Sequence, residues 1–234
     1  MSYNAYYMSV CIAALYNRGE GVVLAVDKLV RFGEENDLDV FRIEHEDAKK
    51  LTKLNSTTCI LASGNCTYAH TIVDTVKAKV REGQSLSSIL SLVRREYRKQ
   101  RKEAAFVKIL SHHFVDWEDY YKKIRVSDDM RKVSEVLSFE HKIGNFRFDD
   151  VGIIVAGKGS QKYEIYTSDG KSIVPSTFDF AVEGSGFIYA KPILVKKLTE
   201  AHTKEEVAEV VKEAKKAAEQ DEDVGSATIV KFLS

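Results

Sequence analysis

Net charge is the first thing this sequence lacks: 35 Lys and Arg balance 35 Asp and Glu across 234 residues. Without an excess of either sign there is no electrostatic case for a nucleic-acid partner or a membrane surface. The one local exception, Arg94 to Lys102 (RREYRKQRK), falls on an expected helix and reads as a solvated face. Long apolar runs are missing too. None approaches the roughly 18 residues that span a bilayer. The opening MSYNAYYM has neither the basic start nor the apolar stretch of a secretory leader. Cysteine is scarce and odd in number, at Cys11, Cys59 and Cys66. Two of the three lie in strand-like runs, which argues against a disulfide framework and for a cytoplasmic setting. What is present, 44% hydrophobic and 30% charged residues, is globular composition rather than disorder.

Strand-like segments open the chain. Ser9 to Tyr16 (SVCIAALY) and Val22 to Val26 (VVLAV) flank the turn-forming Asn17 to Gly21, so they predict a hairpin. Both runs are almost continuously apolar, as in a sheet covered on both faces. A polar stretch, Glu34 to Asp39, reads as a loop. Lys50 to Asn55 and Thr57 to Ala62 predict a second hairpin ending at Ser63-Gly64. Helical periodicity follows. Ile72, Val73, Val76 and Val80 mark one helix, stopped by Gly83, and Leu86, Ile89, Leu90 and Val93 mark another, capped by Ser85. Helical composition continues from Lys108 to Ile143, with Ser127 a candidate cap and Trp117, Tyr120 and Tyr121 read as packing. His112-His113 has no partner at metal-ligand spacing, so neither a metal nor any other cofactor is expected. Strands return at Val151 to Ala156, Tyr163 to Thr167, Ser172 to Val174 and Phe178 to Val182, and a short helix follows Gly184-Ser185-Gly186. Thr203 with Glu206 forms a capping box that opens a Lys/Glu-rich helix, and Gly225 to Leu233 ends the order as a strand. Strands, helices, strands, helices and strand without a linker predict one domain of face-to-face sheets covered by helices.

Several segments, in order, resemble proteasome β-subunits. SVCIAALY…GVVLAVDK is similar to the family's first hairpin, ending in Asp-Lys. KKLTKLNSTTCILASG is similar to its lysine strand and the Gly turn after it. VGIIVAGKGSQKYEIYTSDGKSIVPSTFDFAVEGSG resembles the later strands and Gly-Ser-Gly turn, and Asp223-Val224-Gly225-Ser226 the Asp-x-x-Ser signature. The resemblance covers about two thirds of the chain. It implies an α+β fold, a four-layer αββα sandwich of antiparallel sheets of the N-terminal-nucleophile hydrolase type. Residues 9–234 would form the single domain, with a helical insertion at about 109–148 and residues 1–8 as propeptide or upstream extension.

The same resemblance implies the chemistry. A chain-terminal Ser, Thr or Cys attacks an amide carbonyl while its own α-amino group, with a pKa near 7.7–8.0, accepts the proton. A buried lysine assists the nucleophile, an aspartate fixes that lysine, and a backbone N–H holds the oxyanion. Carried over by position, Ser9 is the nucleophile, Asp27 the aspartate, Lys50 the lysine and Gly64 the oxyanion glycine. Ser185, Asp223 and Ser226 support the amine. Lys49 competes with Lys50, since one of two neighbours on a strand points inward. Ser2 and Cys11 stay open as other nucleophiles. The chain departs from the family pattern in its serine, in the absence of a glycine before it, in longer connections and in Arg31, which replaces the usual threonine. The implied activity is an amide-bond hydrolase, a peptidase acting on peptide or other amide substrates as a homo-oligomer. The alternatives are a non-catalytic α-type subunit, or an acyl transferase in which an amine replaces water.

Overall fold

Alternation along the opening hairpin sets the layers. In β2 (Cys11–Tyr16), Cys11 and Ala13 face one apolar cluster while Ile12 and Ala14 face another. In β3 (Gly21–Asp27), Leu24 and Val26 likewise oppose Val23 and Ala25. A strand has two faces at a period of two, so both sides of this sheet must be covered.

The computed structural model describes residues 5–7, 9–32, 41–44, 49–110 and 130–234. Two antiparallel sheets pack face to face. The smaller runs β11 (Phe180–Glu183), β2, β3, β12 (Thr228–Leu233). The larger runs β10 (Ile173–Pro175), β9 (Tyr163–Ser168), β8 (Val151–Lys158), β7 (Thr58–Asn65), β1 (Ala5–Tyr7), β4 (Leu29–Phe32), β5 (Phe41–Glu44). β6 (Leu51–Asn55) pairs with the first part of β7, through Leu51↔Leu61 to Asn55↔Thr58. β1 pairs with its far end, Tyr6↔Asn65 and Tyr7↔Gly64.

Three apolar layers hold the sheets and helices together. Cys11, Leu24, Leu61, Ile154, Ile165 and Ala181 fill the space between the sheets. α1 (Cys66–Lys79) and α2 (Leu86–Leu110) cover the larger sheet through Ile72, Val76, Ile89 and Val93. α4 (Phe187–Lys197) and α5 (Lys204–Ala218) cover the smaller one through Ala190, Leu194, Val207 and Val211. The fold is therefore α+β, a four-layer αββα sandwich. Two of the three caps expected from sequence are formed: Ser85 Oγ accepts from Ser88 N at 3.4 Å, and Thr203 with Glu206 makes the capping box.

Four differences from the sequence reading have physical causes. Ser9 is not the first residue of a strand; β2 begins at Cys11, because the amide of Val10 is turned onto the Asp27 side chain. β1, β4 and β5 were not expected, being three or four residues long and without alternation. The basic run on α2 is not simply a solvated face: Glu96, Tyr97 and Gln100 are buried within it, while Arg94 and Arg101 donate to the carbonyls of Ile173 and Phe146, each at 2.9 Å. The end of the expected insertion is core: after α3 (Met130–Asn145), Phe148 is fully buried against Tyr68 and Tyr97. The Glu34–Asp39 loop expectation, and those for His112, His113, Trp117, Tyr120, Tyr121 and Ser127, lie outside the described residues.

Candidate active site

Asp27 ends β3 and is completely buried, as is Lys50 just ahead of β6. Their side chains meet at 3.0 Å, Lys50 Nζ to Asp27 Oδ2, and the ammonium also donates to the carbonyl of Leu29. Two charges so far from water are costly unless their remaining hydrogen-bonding capacity is filled. Here it is filled from three directions. Asp27 Oδ1 accepts from Val10 N at 3.1 Å, and Oδ2 accepts from Leu29 N at 3.0 Å and Gly225 N at 3.1 Å. Lys49 is exposed and reaches Asp74 at 3.5 Å, so of the two neighbouring lysines it is Lys50 that points inward.

Ser9 immediately precedes the Val10 amide that bonds Asp27, and is itself fully buried. Its carbonyl is gripped by the Gly184–Gly186 turn. Gly186 N donates to it at 3.4 Å, and Gly184 approaches so closely that any Cβ there would collide with it. Gly184 also has φ +101°, where side-chain-bearing residues are strained. Ser185 lies in the same turn with its Oγ withdrawn from solvent and without a hydrogen-bond partner among the described residues. Cys11 is near enough for the Ser9 hydroxyl to hydrogen-bond it. Burial nevertheless pushes the Cys11 thiol up to about 12, against the lowering effect of the Lys50 charge. A thiol that stays protonated is no nucleophile at neutral pH.

Gly64 stands near the end of β7 with φ +90°, its α-carbon pressed against the carbonyl of Asp150. It is the residue at which β7 passes from β6 to β1. Asp223 is buried and Ser226 exposed, both in the turn before β12. That turn reaches the centre through Gly225, bonded to Asp27, and Val224, packed where a side chain on Gly186 would stand. Ser9, Asp27, Lys50 and the 184–186 and 223–226 turns thus converge on one point.

The sequence matches the proteasome subunit family over residues 103–232, more than half of the chain. It belongs to that family. The match takes in Ser185, Asp223 and Ser226 and begins after Ser9, Asp27, Lys50 and Gly64, which therefore lie outside it. No curated protein matches the chain significantly.

Two residues beside this candidate site were not picked out from sequence. Lys215 of α5 is buried and donates to Gly225 O, Ser226 O and Glu219 Oε1, each at 2.7 Å. It pins the 223–226 turn from behind. Glu183 precedes the Gly-Ser-Gly turn and accepts from Thr167 Oγ1 at 2.5 Å and Ser168 Oγ at 3.1 Å. Burial, with a smaller push from Asp149, raises its carboxyl to about 7 despite those bonds. In sequence, Lys215 is one of many in a Lys/Glu helix and Glu183 is the end of a strand. Among the described residues no group of three His, Cys, Asp or Glu is placed to hold a metal, and no helix is long and apolar enough to cross a membrane.

Proposed function

We propose that the chain is an amide-bond hydrolase, a peptidase whose nucleophile is Ser9 once residues 1–8 are removed. The observation that carries this reading is the Asp27 carboxylate, which gathers Lys50 and the amides of Val10, Leu29 and Gly225 at the foot of Ser9. A buried ion pair is a poor stabiliser, so desolvated charge gathered at one place beside a hydroxyl points to a role beyond stability. With its amine free, Ser9 Oγ attacks the substrate carbonyl carbon and its hydroxyl proton passes to that amine. The amide N–H of Gly64 faces the oxyanion, and the Lys50 charge favours the alkoxide. The leaving amine takes the proton as the C–N bond breaks, and water then cleaves the Ser9 ester, releasing the acid. Ser185, Asp223 and Ser226 hold the amine. The active form would be a cytoplasmic homo-oligomer acting on peptides or other amides. An amine in place of water would make it a transferase.

A second reading, the non-catalytic subunit, is favoured by a specific feature: in the full chain the Ser9 nitrogen is part of a peptide bond, and β1 is built into the sheet. One experiment separates them. A chain started at Met8-Ser9 should lose Met8 and become labelled at Ser9 by a β-lactone or epoxyketone probe, read by intact mass and peptide mapping. The full-length chain should react only after losing residues 1–8. A folded chain verified to begin at Ser9, unlabelled by a panel of such probes and inert toward a peptide library, would leave the non-catalytic subunit standing.

A further inference from the structure

A cavity of about 930 Å³ opens beside Gly64 and Ser185 and is walled by β8, β9 and β11. It lies across β7 from β1, since the sheet order is β9, β8, β7, β1, β4. Four carboxylates line it, and three of them are already satisfied. Asp149 is bonded by Arg147 through both oxygens at 3.1 Å, Asp150 is paired with Lys108, and Asp169 accepts the amides of Lys171 and Ser172. Glu183 differs. Thr167 and Ser168 both bond Oε1, and among the described residues no basic side chain answers its charge. Lys191, which also lines the cavity, is engaged with the rings of Phe187 and Phe178, 4.8 and 5.9 Å from their centroids.

A second observation points into the same space. Ser63 is 1% exposed, yet its Oγ has no hydrogen-bond partner among the described residues. It converges with Glu183 Oε2 over the bare face of Gly152: a side chain on Gly152 would collide with Ser63 Oγ and come within 2.8 Å of Glu183 Oε2. An unbonded buried hydroxyl and an uncompensated carboxylate oxygen therefore lie side by side over Gly152, in the wall of the cavity. Buried polar atoms without partners are rare in folded proteins, and a ligand donor with several N–H groups would satisfy both.

We infer that this cavity receives a lysine or arginine side chain on the leaving-group side of the bond, with Glu183 and Ser63 as its acceptors. The side follows from topology. β1 occupies the edge of β7 where an extended acyl portion would pair, so whatever lies beyond the carbonyl at Gly64 is directed away from β1, across the end of β8, where the cavity is. The inference rests on the hydrolase reading for that assignment of side, but binding itself does not require Ser9 chemistry.

The test has two arms. In the first, full-length protein is titrated with Nα-acetyl-lysine amide and with Nα-acetyl-norleucine amide, following the backbone amide signals of Gly184 and Ser185. The lysine compound should bind at least fivefold more tightly, and Glu183→Gln should bring the two together. Equal binding in the wild type, or a preference that survives Glu183→Gln, overturns the inference whatever Ser9 does. In the second arm, the chain beginning at Ser9 is given quenched peptides that differ at the residue after the scissile bond. Lysine should exceed norleucine at least tenfold in kcat/KM, and the ratio should fall toward one in Glu183→Gln and partly recover in Glu183→Asp. Lysine binding without cleavage would sink the hydrolase reading alone; cleavage indifferent to that residue would sink the placement on the leaving-group side.

Discussion

Lys50 and Ser9 make different demands on the fold, and substitutions should separate them. Lys50→Met strips the buried Asp27 carboxylate of its cation and leaves three amide donors around an isolated charge. Breaking a buried pair in this way costs roughly 3–5 kcal/mol, to be read from urea unfolding. Ser9→Ala removes one hydroxyl and should stay within about 1.5 kcal/mol of wild type by the same measurement. Both should abolish turnover, and the double variant should be little slower than either, because groups acting as a unit are not additive. Turnover retained in Lys50→Met would detach the lysine from the chemistry. The grouping of Ser9, Asp27 and Lys50 was legible only through the resemblance to proteasome β-subunits, because residues so far apart in sequence carry no local sign that they meet. Glu183 was not, because its interest lies in what fails to face it, and that depends on β8 and β9.

Helix α5 shows how an element can carry both a legible and a hidden feature. Its start is written in Thr203 and Glu206, whose capping box satisfies amides that any helix leaves open. Its hold on the centre is not written anywhere local. Lys215 is 2% exposed and its three acceptors lie on Glu219, Gly225 and Ser226, so one side chain ties the helix to the turn that also bonds Asp27. Lys215→Met keeps the apolar stem but leaves two carbonyls short of a donor. The loss should be roughly 2–3 kcal/mol, given the strength of charged hydrogen bonds, measured by denaturant unfolding. Hydrogen exchange at Gly225 should rise by more than at the amides of β12. Uniform acceleration instead would mean that Lys215 serves global stability alone. In the sequence, helical period alone sets this residue apart from Lys212 and Lys216, both of which form exposed ion pairs: it falls four residues after Val211 and three before Ala218, on the apolar stripe.

For the molecule as a whole, the four layers were readable because apolar residues fall on both faces of β2 and β3, which forces cover on two sides. The order of the larger sheet was not, and the reason is β1. Among the described residues, the strand pairing that joins β4 and β5 to that sheet runs through residues 5–7: Ala5↔Phe32 and Tyr6↔Arg31 on one edge, Tyr6↔Asn65 and Tyr7↔Gly64 on the other. Three residues with no distinctive pattern thus bridge β7 to a hairpin. Removing residues 1–8 would leave a gap one strand wide with unpaired backbone on both sides. Such edges accept an added strand through main-chain hydrogen bonds. In the chain beginning at Ser9, amide exchange should therefore speed up within 29–32 and at Gly64, while Leu29 and Asn65, bonded to Asp27 and Asp150, and the β7–β8 and β2–β3 ladders keep their protection. A synthetic peptide MSYNAYYM, added in excess, should restore protection to both edges and compete with substrate for turnover. If exchange at 29–32 does not change on trimming, β4 is held by contacts other than β1. The slot would then be no place for a substrate strand, and access to Ser9 would have to come from the Glu183 cavity instead.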